Sequence, residues 1–414
     1  MKKLILGACL SLSLFCGTKE VVAETTTEIL PEKNAVIKVW ANEPGEKELF
    51  ELGAKKFTEK YKDLNLKIIH EPVGVLDAFR LLVQDGGTIE VGDVVSMTHD
   101  VLGKAVVSGI IMENLVSTED LKNNFLANSV NASTDVNGVI YGFPYTFETL
   151  LMYYNKNLIS KPNTFEEIIE FAKTFNNPNE YMYALAWGIA DYYQSRAFIG
   201  MYGGYEFGNQ GTNPQDIGIA NDEFKKGMEK LLTLKKTTVE NTADVANTQI
   251  SEGLFLEELV ATTISGPWAR KRFLEDSGLN VGVIALPTFD GKNLTPFSTV
   301  KMLTVSSFTK YPKAAQLFAQ FMSSEEMLLE RFRLTGQAPV HKNLLNHPEV
   351  QADEFVAELI KQEKSATPMP SIAEMGYIWE PMNAAISEIW NNNRDIEEVL
   401  KQSKKVIEEQ INIQ

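Results

Sequence analysis

The sequence is nearly devoid of cysteine: Cys9 and Cys16 are the only two among 414 residues. Both lie within residues 1–23, which we predict to be an export signal. A mature chain cut after Ala23 therefore has no disulfide and no thiolate chemistry. Histidine is also scarce, because the four histidines are scattered and none shows the HExxH spacing of a zinc site. We accordingly predict neither a metal site nor a cofactor.

Catalytic motifs are missing as well. No Gly-x-Ser-x-Gly elbow, phosphate-binding loop or dinucleotide fingerprint occurs along the chain. This absence favours a binding protein over an enzyme. Two carboxylates acting as acid and base leave no mark in a sequence, so a carboxylate-pair glycosidase stays open as an alternative.

Positive charge is in deficit. The chain has 39 Lys and Arg against 55 Asp and Glu, which gives a formal net charge of −16. Affinity for phosphates needs clustered basic side chains, and no such cluster is present. We therefore exclude nucleic acid and acidic membrane surfaces as partners and expect a neutral ligand.

Long apolar runs are confined to the start of the chain. Lys2 and Lys3 precede an apolar run over residues 4–15, and a stretch ending at Ala23 offers a cleavage site. The run is too short to span a membrane, and no later segment reaches roughly 18 apolar residues. We predict a signal peptide over 1–23, a tether over 24–34 and a periplasmic or cell-surface location. A lipid anchor at Cys16 is the alternative to cleavage.

The remaining chain alternates strand and helix patterns. Val36–Trp40 alternates as a strand, and Phe50, Gly53 and Phe57 recur at helical spacing. A second strand is predicted over 64–68, and a helix over 76–84 leads to an apolar run at 91–95. This order predicts an α/β fold with helices on the faces of a mostly parallel sheet. A chain of this length exceeds one hydrophobic core, so we expect two lobes.

Local signals mark three further boundaries. Asn137-Gly138 between apolar positions predicts a hairpin turn. Thr164 and Glu167 form a capping box at the start of a helix. Asp395 begins a long amphipathic helix near the end of the chain.

A series of short segments stands out along the chain: residues 36–40, 55–57, 92–95, 98–100, 141–144 with Glu148, 154–156, 266–268, 286–289, and 368–370 leading to Trp379. In their joint order and spacing, these segments resemble the bacterial maltose/maltodextrin-binding proteins, which are solute-binding receptors of sugar ABC importers. The resemblance implies a periplasmic-binding-protein fold of two α/β lobes joined by crossing hinge segments. It also implies an oligosaccharide ligand, with maltodextrin leading, a membrane ABC permease as partner, and a monomer.

The resemblance places the lobe boundaries. The N-terminal lobe is expected over 35–146 and 298–347, and the C-terminal lobe over 147–297 and 348–414. The crossings are expected near 144–149, 296–299 and 346–351. The ligand is expected in the cleft between the lobes, where sites at domain interfaces are common.

Six positions match the family's sugar-binding residues. Carboxylates accept hydrogen bonds from sugar hydroxyls, and aromatic rings cover the apolar faces of the sugar. The resemblance implies the first role for the acids and the second for the aromatics. These residues are Asp100, Glu148, Asp191, Tyr193, Trp268 and Trp379.

The sequence also departs from the family. Pro44 and Gly45 replace an acid and a lysine, and Glu43 or Glu46 is the candidate to compensate. Elsewhere in the site, a stacking tryptophan and two arginines are replaced by Met97, Val101 and Asn383, respectively. A different oligosaccharide is therefore an open alternative.

Two other functions are weighed against sugar capture. Asp100 and Glu148 would be the acid and base of a glycosidase acting on the same sugar. Tyr192 and Tyr193 would be phenolate ligands of a ferric-ion receptor.

Overall fold

The computed structural model describes residues 29–88, 91–245 and 248–413. The predicted signal peptide, both cysteines and most of the predicted tether lie outside these residues. In the described part of the chain, no helix has the length and apolar character needed to cross a membrane.

Twelve strands are present in the described chain. They are β1 Val36–Trp40, β2 Lys67–Glu71, β3 Val94–Thr98, β4 Ile111–Met112, β5 Phe143–Glu148, β6 Leu151–Asn155, β7 Tyr183–Ala186, β8 Asn213–Ile217, β9 Val260–Ser265, β10 Val281–Ile284, β11 Phe297–Ser306 and β12 Thr367–Pro368.

Besides short 3-10 and π segments, sixteen α-helices accompany these strands in the same described residues. They are α1 Glu46–Lys60, α2 Val75–Asp85, α3 Leu102–Val107, α4 Thr118–Asn124, α5 Ala127–Ala132, α6 Phe165–Phe175, α7 Tyr192–Ile199, α8 Gly208–Gly211, α9 Asp222–Leu232, α10 Thr248–Leu256, α11 Pro312–Met322, α12 Glu325–Thr335, α13 Pro348–Gln351, α14 Glu354–Glu363, α15 Trp379–Asn392 and α16 Ile396–Asn412.

The first sheet has the strand order β12-β11-β3-β1-β2, and β4 and β5 also pair with β11. Strand β1 is parallel to β2 and β3, whereas β11 is antiparallel to β3 and β5. The second sheet has the order β10-β6-β9-β7. Two sheets flanked by helices confirm the predicted two-lobed α/β fold.

Alternate residues of β6 face different cores, which explains its unbroken apolar run. Leu151 and Tyr153 belong to a core that also packs on the first sheet. Met152 and Tyr154 face the core that α15 and α16 cover. A third core, around Trp40, lies on the other face of the first sheet.

The chain crosses between the sheets at two short stretches that follow from these bounds. Strand β5 ends in the first sheet at Glu148, and β6 begins in the second at Leu151. The return runs from β10, in the second sheet, to β11, in the first. These stretches overlap two of the expected crossings, while the lobe boundaries themselves stay a prediction.

The local predictions fare unevenly. Strand β1 and helix α2 lie where they were expected. The prediction of a strand from residue 64 is wrong: Leu64 ends a 3-10 turn and Asn65 has a φ of 51°, so β2 begins at Lys67. Likewise β3 begins at Val94, although Asp93 already bonds to Lys38: its carboxylate accepts the Lys38 amide at 2.8 Å, and its own amide donates to the Lys38 carbonyl at 2.9 Å.

The capping signals are confirmed. The Thr164 hydroxyl accepts the Glu167 amide at 3.2 Å, and Asp395 accepts the Glu398 amide at 2.9 Å. Gly138 turns with a φ of 82°, although a single bridge rather than a full hairpin flanks it.

The end of the predicted tether is held to the first lobe. Pro31 is buried. The Glu32 carboxylate accepts the amides of Lys313 and Ala314 at 3.0 and 2.7 Å, at the start of α11. A carboxylate at this position satisfies amides that a helix start leaves free.

Candidate sugar-binding cleft

Three of the predicted site residues gather into one aromatic cluster. The ring of Tyr193 lies 6.3 Å from Trp268 and 6.5 Å from Trp379, measured between centroids. Phe297 completes the cluster, at 6.2 Å from Tyr193 and 6.1 Å from Trp379. Tyr193, Trp268 and Trp379 are all partly exposed. Part of each of these three rings is therefore accessible from outside the core.

Tyr193 is positioned by the start of α7. Asp191 caps this helix, and its Oδ1 accepts the Tyr193 amide at 3.0 Å. Asn383, on α15, accepts the neighbouring Tyr192 amide at 2.8 Å. Burial raises the pKa of Asp191 above its ordinary value. Asp191 thus serves the site as a helix cap, and Asn383 fixes α7 to α15 in place of the expected arginine.

Trp268 is positioned by its neighbours in sequence and by a buried acid. A Cβ at Gly266 would lie 2.1 Å from the Trp268 ring, so this position requires glycine. Pro267 starts a 3-10 turn that carries the tryptophan. The indole Nε1 donates to Glu252 Oε1 at 3.2 Å. The ring is consequently held in one orientation.

A cluster of charges lies beside the aromatic residues. Lys301 Nζ donates to Glu148 Oε1 at 2.6 Å and also to the Glu43 carboxylate, which in turn accepts from Gln337. The Lys301 and Glu148 side chains are each 3% exposed. Burial raises the pKa of Glu148 to about 7, although Lys301 opposes the shift. Burial lowers the pKa of Lys301, but the adjacent carboxylates outweigh it and raise that pKa overall.

Thr299 joins the two clusters. It lies opposite Glu148 in the ladder between β11 and β5. Its hydroxyl Oγ1 is 3.1 Å from the hydroxyl oxygen of Tyr193. The structure therefore brings Glu148, Tyr193, Trp268 and Trp379 together.

Among the described residues, Asp100 makes no hydrogen bond to that group. It is part of a single 3-10 turn, His99–Val101, after β3. Its Oδ1 is buried, and the described residues offer this oxygen no hydrogen-bond partner. The turn is fixed by His99, whose Nδ1 accepts the Val300 amide at 3.0 Å and whose Nε2 contacts the Met369 carbonyl at 2.8 Å. Oδ1 of Asp100 can therefore accept a further hydrogen bond.

The departures from the family have structural reasons. Gly45 has a φ of +84°, and a Cβ there would lie 2.6 Å from the Leu334 carbonyl, which disfavours a lysine. Met97 is 1% exposed and packs in the core around Trp40, so its side chain is not available to a ligand. Glu46 is fully buried and accepts from Arg331 at 2.8 Å. Of the two acids considered as replacements, Glu43 is the one in the charged cluster.

Phe297, Lys301 and Thr299 were missed by sequence reasoning. Their only signal was an aromatic or polar residue at every second position from 297 to 301, in a strand that also contains Ser298, Thr304 and Ser306. No sequence motif for a binding site corresponds to this pattern. Only the pairing of β11 with β5 shows which acid Lys301 meets.

Comparisons with known proteins agree on the family. Residues 54–358 match the family described as bacterial extracellular solute-binding protein. The galactooligosaccharide-binding protein of Bacillus subtilis (strain 168) is 31% identical over 417 residues, which cover 98% of this chain and 96% of that protein. The maltodextrin-binding protein MdxE of the same organism is 27% identical over 379 residues, covering 88% of each.

Solved structures show the same fold. A cyclo/maltodextrin-binding protein complexed with maltotetraose has a TM-score of 0.78 and 32% identity, covering 92% of this chain and 98% of its own. MalX from Streptococcus pneumoniae in complex with maltopentaose has a TM-score of 0.80 at 24% identity, covering 90% and 100%. On this evidence, the chain belongs to the bacterial extracellular solute-binding proteins.

Proposed function

We propose that this protein is the extracytoplasmic receptor of an ABC importer, and that it binds an oligosaccharide between its two lobes and delivers it to a membrane permease. The observation that carries the proposal is the continuity of the aromatic cluster with the charged cluster through Thr299. A sugar ring needs both, because its C–H faces pack on aromatic rings and its hydroxyls bond to carboxylates.

Maltodextrin is the first candidate ligand, and a galactooligosaccharide is the second. The maltodextrin assignment is supported by a relative named as a maltodextrin-binding protein and by a similar structure that holds maltotetraose. The second is favoured by the 31% identity to a galactooligosaccharide-binding protein over nearly the whole chain. It is also favoured by the site itself, which lacks a lysine at Gly45 and an arginine at Asn383.

Calorimetry of the chain from Glu24 onward separates the candidates. The panel contains maltose, maltotriose, β-1,4-galactobiose and β-1,4-galactotriose. We expect one series to bind with about −8 kcal/mol, which corresponds to micromolar affinity. Absence of binding heat with every member of the panel would contradict both assignments.

Tryptophan variants locate the ligand. Trp268→Ala and Trp379→Ala should each weaken binding by about tenfold or more, because each removes a stacking platform worth about 1.4 kcal/mol or more. Tyr181→Ala is the matched control, since Tyr181 is 58% exposed and lies in a turn outside the cluster. Equal affinity of all three variants and the wild type would place the ligand elsewhere.

An enzyme acting on the same sugar is the alternative class. The Glu148 carboxylate accepts a hydrogen bond from the Lys301 ammonium at 2.6 Å, so it is not free to exchange a proton with a glycosidic oxygen or a water. This arrangement favours binding over a carboxylate pair. Incubation with the bound oligosaccharide, followed by chromatography, tests it: shortened products would establish turnover.

A ferric-ion receptor is disfavoured by the tyrosines themselves. A phenolate ligand must lose its proton, yet burial raises the pKa of both Tyr192 and Tyr193. Tyr192 also donates to the Glu206 carboxylate inside the core. Absence of a visible charge-transfer band after addition of ferric iron is the expected result.

Export and assembly complete the proposal. The family description is extracellular, and a maltooligosaccharide-binding relative from Streptococcus pneumoniae is named a lipoprotein. We infer a cell-surface or periplasmic monomer, released by cleavage after Ala23 or anchored at Cys16. Mass spectrometry of the protein isolated from membranes and medium distinguishes the two ends.

A further inference from the structure

Strand β11 presents one continuous face to both clusters of the site. Alternate strand residues share a face, so Phe297, Thr299 and Lys301 point the same way. Phe297 packs on the aromatic rings, Thr299 contacts Tyr193, and Lys301 bonds to Glu148. Four residues of strand span about 13 Å, which exceeds one pyranose ring. This face of β11 thus has an apolar end at Phe297 and a charged end at Lys301.

Lys301 organises the charged end. Its ammonium bonds to Glu148, the last residue of β5, and to Glu43, in the segment between β1 and α1. The Glu43 side chain is 11% exposed, against 3% for the lysine. Lys301 therefore holds together two carboxylates from separate segments of the chain, and Glu43 is the most accessible of the three groups.

The cluster carries a formal charge of −1 when both acids are ionised, because one ammonium faces two carboxylates. The neighbouring Glu46–Arg331 pair does not change this balance, since it is neutral by itself. Gln337 connects the two sets: it accepts from Arg331 at 3.0 Å and donates to Glu43. The excess negative charge therefore stays with Glu43, Glu148 and Lys301.

Stability alone explains such a cluster poorly. Removing ions from water costs several kcal/mol per ion, and apolar replacements of a buried ion pair are often as stable. The other nine residues of β11 are apolar or uncharged. A lone buried lysine in that strand is therefore better explained by ligand recognition than by folding.

We propose that Lys301 is a specificity-determining residue, and that the Glu43–Lys301–Glu148 cluster binds hydroxyls of a neutral sugar while it repels an acidic one. The carboxylates accept from hydroxyl groups, and the ammonium, with three N–H donors, donates to a hydroxyl oxygen. A uronate would bring a second negative charge against the excess charge of the cluster. This inference rests on the proposed function and deepens it.

Four variants of the full chain test the proposal, together with two probes. The probes are the neutral trisaccharide that binds the wild type best and a trimer of galacturonic acid. The variants are Lys301→Met, Lys301→Arg, Glu43→Gln and, as control, Lys310→Met. Lys310 is exposed in the turn after β11, so its change matches the first variant without touching the cluster.

We expect Lys301→Met to lose about tenfold or more in affinity for the neutral sugar, and Lys301→Arg to recover part of it, because the arginine restores a cation. Glu43→Gln cancels the excess charge and should bind the galacturonate trimer at least about tenfold more tightly than the wild type. Lys310→Met should match the wild type with both probes.

The outcomes separate this inference from the proposed function. If the wild type binds no neutral sugar, the proposed function fails and the inference falls with it. If the wild type binds and a folded Lys301→Met binds equally well, only the inference is overturned. Should Lys301→Met not fold, Glu43→Gln decides, because it keeps the lysine: unchanged exclusion of the galacturonate trimer would then overturn the proposal.

Discussion

Glu148 is a buried acid whose neighbours act on its protonation in opposite directions. Burial and the nearby Glu43 and Glu46 raise its pKa, whereas Lys301 lowers it, and the result is about 7 against an ordinary value of 4.5. Between these two pH values the native state binds more protons than the unfolded state. The contribution of Glu148 to the free energy of unfolding must therefore fall as the pH rises from about 4.5 to about 7 and stay low above it.

Urea unfolding at pH 5, 6, 7 and 8 measures this effect, with Glu148→Gln as the isosteric comparison. Other groups titrate in the same range: burial lowers the pKa of His99, which gives stability of the opposite slope. The difference between wild type and Glu148→Gln isolates Glu148, since the other groups are common to both. A difference independent of pH would show that Glu148 titrates normally in the folded protein.

Residue identity predicts the aromatic part of the site better than the charged part. Trp268 and Trp379 are rare residues in matched segments, and both lie in one cluster with Tyr193. No rare residue type or matched segment in the sequence singles out Lys301. Its partners lie 153 and 258 residues away in sequence. Only the pairing of strands brings them together.

Helix α7 ties the site to the start of β11 and to β12. Tyr193 lies in its first turn and Arg196 in its last. The Arg196 side chain is 2% exposed, donates to Glu206 Oε1 at 3.1 Å and reaches Thr367 Oγ1 at 2.9 Å. It also contacts Thr295, just before β11. One guanidinium thus fixes α7 to β11 and β12.

Arg196→Met should lower the free energy of unfolding by about 3 kcal/mol or more, because it leaves the Glu206 carboxylate buried without its cation. Arg394→Met is the control, since Arg394 forms an exposed pair with Glu398 at 2.8 Å and should cost about 0.5 kcal/mol or less. Urea unfolding measures both losses in free energy, from the shift of each midpoint when the dependence of the free energy on urea concentration is unchanged. Equal losses would mean that Arg196 does no more than a surface arginine.

Element boundaries were predictable where side chains cap the backbone and not where loops override the apolar pattern. Thr164 and Asp395 predict helix starts because the side-chain oxygen of each accepts the backbone amide three residues later in the chain. The start of β2 was misplaced because Leu64 and Leu66 alternate like a strand, while Asn65 between them adopts a left-handed conformation. Apolar alternation shows only that every second side chain is at least partly buried, and side chains in a turn that packs on the core can be buried in the same pattern.

At the scale of the whole molecule, two contacts link the predicted lobes. The first is the contact between His99 Nε2 and the Met369 carbonyl, and the second lies beside it. The Gly103 amide, at the start of α3, donates to the Ser371 carbonyl at 3.1 Å. Ile372 and Met375, which follow Ser371, pack in the core of the second sheet. Helix α3 therefore touches the second lobe through backbone, at a residue without a side chain.

Gly103→Val should hold these surfaces apart, because a Cβ there would lie 2.5 Å from the Ala373 amide nitrogen and 2.7 Å from the Ser371 carbonyl oxygen. If the lobes close on ligand, the variant favours the open state, and sugar affinity falls by the same factor as the closed population. Small-angle scattering should give a larger radius of gyration with saturating sugar than for the wild type. Gly253→Val is the control, since a Cβ at Gly253 meets open space. If Gly103→Val retains both wild-type affinity and wild-type radius, this contact does not form in the ligand-bound protein, and closure must use another surface.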